Sequence, residues 1–203
     1  MFVSITFTEL LNQSNSELAR QTFDDAYRAI NAETTEVIPF GDPRQRKGHD
    51  VIIERRGLSF SVDEKWVTAR KQKHDFPLEL SHRSASGTEQ PGFLGDERWN
   101  PHMLAYGMSW KDNSKVYIFS APRLKRVFAS RSLFDWETLG TGFSKTTEEA
   151  GLSWSTSAVY IPINPLLAPA LVCTIADGAV IVPTDVSRTI HRHRNDGFHS
   201  CAA

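Results

Sequence analysis

The segment that most restricts how this chain can fold runs from Asp50 to Trp66, with the sequence DVIIERRGLSFSVDEKW. Asp50–Glu54 is short and β-branched, a composition that suits a pleated strand. Gly57 breaks it from a second run, Leu58–Trp66, that alternates along its length. Successive strand side chains point to opposite faces. Phe60 and Val62 therefore share one face, and Ser61, Asp63 and Lys65 share the other.

The rest of the chain supplies elements to surround these strands. Ser14–Ile30 reads as an amphipathic helix that Ser14 or Ser16 can cap, with Glu17 in its first turn. Leu18, Phe23, Ala26, Tyr27 and Ile30 recur in it at helical spacing. Val37-Ile38-Pro39-Phe40 then leads into a turn at Gly41-Asp42-Pro43. A basic loop, Arg70–Asp75, precedes a third strand, Phe76–Ser81, where Pro77 marks a strand start or an edge. Ser84–Asp96 reads as a long loop, and Pro101 opens an expected helix that runs to Met108. Beyond it come a strand at Val116–Ser120, a helix at Ala121–Arg131 and a strand at Ala158–Pro162. A short helix near Pro165–Ala170 precedes a hairpin over Val172–Val182 that turns at Asp177-Gly178. Helix, three strands, then helix and strand is the order of an α/β fold with a mixed sheet. With 203 residues, 40% of them hydrophobic, one domain over residues 1–184 can bury a core that needs no covalent staples. Residues 185–203 read as a polar tail, and its His191-Arg192-His193 offers either a weak metal pair or simple basic charge.

Composition narrows the setting. Cys173 and Cys201 lack metal-ligand spacing and read as free thiols, which favours a reducing compartment. The first residues carry no basic, long apolar leader, and no run approaches the length of a membrane span. The expectation is a soluble, cytoplasmic protein without a membrane partner. The net charge of −1 hides a local bias. Between Arg44 and Arg83 lie ten Lys or Arg (44, 46, 47, 55, 56, 65, 70, 71, 73, 83) and six Asp or Glu (50, 54, 63, 64, 75, 79). Such a stretch suits a phosphate backbone, or is an ordinary solvated mixture of charges.

The chemistry rests on Asp50, followed thirteen positions later (63 − 50) by Asp63-Glu64-Lys65. If the two strands are neighbours, Asp50 and Asp63 approach each other, with Lys65 on the face of Asp63. Adjacent carboxylates repel, and each resists ionising unless a cation sits between them. A divalent metal with oxygen ligands, Mg²⁺ or Mn²⁺, resolves that conflict. It can also polarise a phosphoryl oxygen and activate a water. Lys65 can orient the nucleophile or offset charge developing on the phosphate. The alternative for the triplet is a solvated strand end. Glu64, of opposite parity, falls outside the metal's immediate ligands.

Five segments in order carry a resemblance. They are Gln45-Arg46-Lys47-Gly48-His49-Asp50, Val62-Asp63-Glu64-Lys65, Leu78-Glu79-Leu80-Ser81, Pro91-Gly92-Phe93 and Leu104-Ala105-Tyr106. Over roughly Gln45–Phe128 the chain resembles a phage-associated group within the PD-(D/E)XK nuclease superfamily. That group shows a K-G-x-D strand, an I-D-E-K strand, an L-E strand ending in Ser, a P-G-W turn and a helix ending in A-Y. The resemblance implies a restriction-endonuclease-like core, a mixed central sheet flanked by helices. It also implies that Asp50 and Asp63 are the metal carboxylates and Lys65 the motif lysine. Glu79 is then a further ligand or a base, or else the salt-bridge partner of a nearby basic residue. An acidic residue on the first helix often completes such sites, and Glu17 is the candidate, with helix solvation as its other explanation. Phe93 stands where the group has Trp. His102 and Tyr106, placed one helical turn apart, either line the site or belong to a capped helix that packs its Tyr inward.

Three functional classes follow. The first is a Mg²⁺-dependent nuclease acting on DNA, in phage DNA processing, recombination or defence. The second is the same fold acting as a non-catalytic nucleic-acid- or protein-binding module. The third, an unrelated α/β enzyme, has little support, since the chain lacks a Gly-rich phosphate loop, a G-x-S-x-G elbow and an H-E-x-x-H pair.

Overall fold

The Arg56-Gly57 break closes a two-residue hairpin. Both residues have positive φ, 53° and 71°, as a type I′ turn requires. In the computed structural model, which describes residues 16–68, 75–84, 86–110, 113–130, 141–149, 152–163 and 167–183, this turn joins β2 (Val51–Arg55) to β3 (Leu58–Thr68). The two pair antiparallel, with Val51 opposite Val62 and Arg55 opposite Leu58. β1 (Thr34–Val37) pairs with the outer side of β2.

After β3 the chain leaves this sheet and builds β4 (Asp75–Ser84) and β5 (Glu89–Pro91) in a second one. It returns as β6 (Met103–Trp110), parallel to β3, as only a long crossover permits. β7 (Asn113–Ser120), β10 (Leu171–Ala176) and β11 (Ala179–Ile181) extend the first sheet to the order β1-β2-β3-β6-β7-β10-β11. The second sheet, with β8 (Thr141–Glu149) and β9 (Leu152–Pro162), runs β5-β4-β9-β8 and is antiparallel. The fold is α/β with a mixed seven-stranded sheet. The β10–β11 hairpin turns at Asp177-Gly178, again with two positive φ values, 51° and 74°.

Helix α1 (Glu17–Ala29) starts at Ser16, whose hydroxyl oxygen accepts the Ala19 N–H at 3.2 Å. Its stripe of Ala19, Phe23, Ala26 and Tyr27 packs on Val51, Ile53, Val62, Trp66, Ala105, Val116 and Ile118 of the first sheet. Burying each of the larger side chains contributes about 1.5–3 kcal/mol. The opposite face, with Leu104, Tyr106, Tyr117 and Phe119, is covered by Phe76 and Leu78 of β4 and Val159 and Ile161 of β9. Leu124 of α2 (Ala121–Ala129) closes that layer. The sheet is thus flanked by a helix on one side but mainly by a second sheet on the other, a departure from the helix-flanked arrangement expected.

The expected helix from Pro101 to Met108 is strand β6. Because β6 lies between β3 and β7 with both faces covered, its run of Leu104, Ala105, Tyr106, Gly107 and Met108 is apolar throughout. A doubly buried strand loses the alternation that distinguishes it from a buried helix. Gly107 is fixed by packing, since a Cβ there would meet the Trp66 ring at 2.6 Å. The Ser84–Asp96 segment also holds β5 and a 3₁₀ turn at Phe93–Gly95, more structure than a loop. Ser14, residues 70–74, Arg131, Pro165 and the whole 185–203 tail, including His191, His193 and Cys201, lie outside the described residues. Among the described residues no helix is long and apolar enough to cross a membrane.

Candidate metal centre

The register of the β2–β3 hairpin builds the site. The ladder ends where Val51 faces Val62, and just before it the Asp50 N–H donates to the same Val62 carbonyl at 2.9 Å, which holds Asp50 against β3 next to Asp63. Asp50 Oδ2 accepts the backbone N–H of Glu64 at 2.9 Å, which pins its carboxyl against the middle of β3 beside Asp63. Parity carries Asp63 and Lys65 to the face covered by the second sheet, where Lys65 Nζ stands 2.9 Å from Asp63 Oδ1. The structure therefore brings Asp50, Asp63 and Lys65 together at the start of β2.

Asp63 is only 1% exposed. Its Oδ2 accepts a hydrogen bond from the indole Nε1–H of Trp99 at 2.5 Å. Its Oδ1 is paired with the Lys65 ammonium, so each oxygen of this buried carboxylate has one positive or donating partner. Burial, and then the negative charge of Asp63, push the Asp50 carboxyl up to about 7, with Lys65 acting against both. Burial opposes the charge on Lys65, but Asp63, Asp50 and Glu79 outweigh it and hold the ammonium above its ordinary pKa. Its side chain remains 43% exposed, so the lysine reaches from the buried Asp63 carboxylate to solvent.

Glu79 lies on β4 and faces this lysine across the layer. Its ion-pair partner is His82, with Nε2 to Oε2 at 3.3 Å. Burial acts to raise the Glu79 carboxyl, while the His82 contact and the Lys65 charge hold it below the usual carboxylate range. His82 in turn reaches the Thr156 hydroxyl through Nδ1 at 3.0 Å. Glu79 thus touches the site through charge, and its direct contact is the ion pair.

Other candidates stand elsewhere. Glu17 is exposed in the first turn of α1. Glu64 points to the α1 face, where Arg20 grips it with two hydrogen bonds, 3.0 and 3.1 Å, and Tyr27 Oη donates at 2.6 Å. His102 and Tyr106 are not a helical pair. Four residues along a strand separate Cα atoms by about 13 Å, against one turn of a helix. His102 Nδ1 accepts the Ser61 N–H at 3.0 Å, while Tyr106 is buried between the sheets with its ring centroid 5.1 Å from that of Phe76.

Trp99 was not legible as a site residue, because a lone tryptophan 36 positions from Asp63 has no spacing that announces the contact. The indirect signal was Gly48. With φ of 76°, it leaves room for the indole, and a Cβ there would sit 2.4 Å from Trp99 Nε1 and 3.3 Å from Asp63 Oδ2. Gly92 has a comparable reason, since a Cβ would fall 1.9 Å from the carbonyl oxygen of Glu79. The glycines of K-G-x-D and P-G-F are therefore close-approach positions that lock their turns against the strands bearing the acids.

The donor set is hard oxygen, from Asp50 and from Asp63 Oδ1. Among the described residues no group of three or more His, Cys, Asp or Glu is arranged to hold a metal ion. Two carboxylates suit a cation that keeps much of its water, such as Mg²⁺ or Mn²⁺, better than one that takes a full set of protein ligands. Compared with protein-family models, with curated proteins and with solved structures, the chain finds no match, so the reading of its chemistry rests on this geometry.

Proposed function

We propose that this protein is a metal-dependent nuclease of the PD-(D/E)XK type, hydrolysing phosphodiester bonds in DNA on a restriction-endonuclease-like core. The observation that carries the reading is the buried Asp63 carboxylate, paired with Lys65 through Oδ1, beside a second carboxyl, Asp50, that is pushed up to about 7. Two neighbouring carboxyls resist ionising together unless a cation joins them. Asp50 and Asp63 would hold Mg²⁺ or Mn²⁺. When bound, that ion supplies Lewis-acid polarisation of a phosphoryl oxygen.

The chain's own residues do the rest. Trp99 and the Glu64 N–H fix the two carboxyls. Lys65, charged and partly exposed, orients the attacking water or offsets charge on the phosphate. Glu79, kept ionised next to His82, is available to accept a proton from that water. Arg46 and Lys47 are exposed on the 3₁₀ turn leading to Asp50 and suit a phosphate backbone.

One observation favours a second reading. Asp63 is already held by Trp99 and Lys65, which allows a self-contained polar network in a non-catalytic binding module on the same fold. A panel of labelled duplex, branched and single-stranded DNA and RNA, incubated with Mg²⁺, Mn²⁺ or EDTA, separates the two. Cleavage that EDTA abolishes is expected. Binding without cleavage under every metal condition would overturn the nuclease reading in favour of the module.

A further inference from the structure

We infer that Trp99 is a positioning residue of the metal centre, whose indole N–H selects which oxygen of Asp63 is presented to the cation. The inference rests on the proposed metal chemistry and goes beyond it by assigning a role to a side chain outside the acidic motif.

A carboxylate on a strand can rotate about its last bond and offer either oxygen. Here Trp99 Nε1–H occupies Oδ2, and Oδ1 is the oxygen turned toward Lys65, whose ammonium stands 2.9 Å away, and toward the Asp50 side. A charge-assisted hydrogen bond in a buried site restrains that rotation. The indole is itself held from three directions. The left-handed Gly48 backbone leaves the space it occupies. Phe93 packs edge-on at 5.1 Å between centroids and an angle of 64°. Lys125 Nζ lies 5.5 Å from the ring centroid and donates to the Asp96 carbonyl at 3.0 Å. Phe93 meanwhile carries the Lys65 ammonium 5.7 Å from its own centroid. The aromatic pair Phe93–Trp99 therefore touches both working members of the D-x-K strand, Asp63 by hydrogen bond and Lys65 by its ring face. Preorganising a ligand's donor atom in this way lowers what a cation must reorganise on binding.

The test uses the whole purified chain, labelled with ¹⁵N, with Mg²⁺ as the probe. The chain has five tryptophans (66, 99, 110, 136, 154), so the indole N–H region is sparse enough to follow Trp99 alone. Mg²⁺ is expected to shift the Trp99 Nε1–H resonance saturably, with the dissociation constant measured by calorimetry. Trp99→Phe keeps the ring and removes the donor. Its Mg²⁺ affinity is expected to fall at least tenfold while the rest of its spectrum stays that of a folded protein. Wild-type affinity in folded Trp99→Phe overturns the inference while leaving the metal reading intact. No heat and no shift with the wild type overturns the metal reading, and the inference with it. If Trp99→Phe does not fold, the wild-type resonance decides: a saturable shift supports the assignment, and an unmoved one during calorimetric saturation overturns it.

Discussion

Asp63 and Glu64 are adjacent on β3, both acidic and both largely buried, yet they inhabit opposite chemistries. Glu64, on the α1 side, is matched twice over by the Arg20 guanidinium and capped by the Tyr27 hydroxyl. Every strong donor it needs is supplied by the helix, and the result ties α1 to the sheet. Asp63, on the other side, also has one cation, Lys65, and one neutral donor, the Trp99 indole, but it faces a second carboxyl, Asp50. The two acids are thus partnered alike, and what separates them is the like charge beside Asp63, the arrangement that suits a ligand.

Breaking the structural side should have the largest effect on stability. Arg20→Ala leaves Glu64 buried without its counter-charge, and removing one partner of such a pair costs about 3–5 kcal/mol. Denaturant unfolding should show that loss, with divalent-metal affinity unchanged; an equal loss of metal binding would contradict the separation of the two faces. Gly48→Ala sharpens the functional side. A Cβ on a φ of 76° that also meets the Trp99 indole at 2.4 Å should cost about 2–3 kcal/mol and weaken metal binding. Gly57→Ala, with φ of 71° but nothing within 4 Å, should cost about 1 kcal/mol and leave metal binding alone.

The pH dependence follows from Asp50. Its folded pKa, about 7, lies above its ordinary 3.8, so between those values the folded state holds a proton that the unfolded state has lost. Stability of the metal-free protein therefore falls as pH rises from about 4 to about 7, and levels off above. The gap between the two values limits the effect to a few kcal/mol. Asp50→Asn should flatten this slope and raise metal-free stability at pH 8 by about 1–2 kcal/mol, measured as melting temperature against pH. An unchanged slope would show that another group titrates.

What the sequence disclosed was set by how each segment is buried. β3 keeps one polar stripe, so its alternation exposed the face shared by Asp63 and Lys65. Asp50 could be placed beside Asp63 because a tight turn fixes hairpin register, and Asp177-Gly178 was legible for the same reason. β6 was misread because both of its faces are covered, and with it fell the helical pairing of His102 with Tyr106. The second sheet was only half visible. β5 is a three-residue exposed edge and left no apolar run to detect. Trp99 could not be found from spacing, because its contact with Asp63 is made by a crossover through another sheet.

The most direct test of this account is calorimetric titration of Mg²⁺ at pH 8 into the wild type, Asp63→Asn and Glu64→Gln. The account predicts saturable binding to the wild type and to Glu64→Gln, and its loss in Asp63→Asn with the fold retained. Binding to Asp63→Asn with wild-type affinity, or its loss in Glu64→Gln alone, would contradict it.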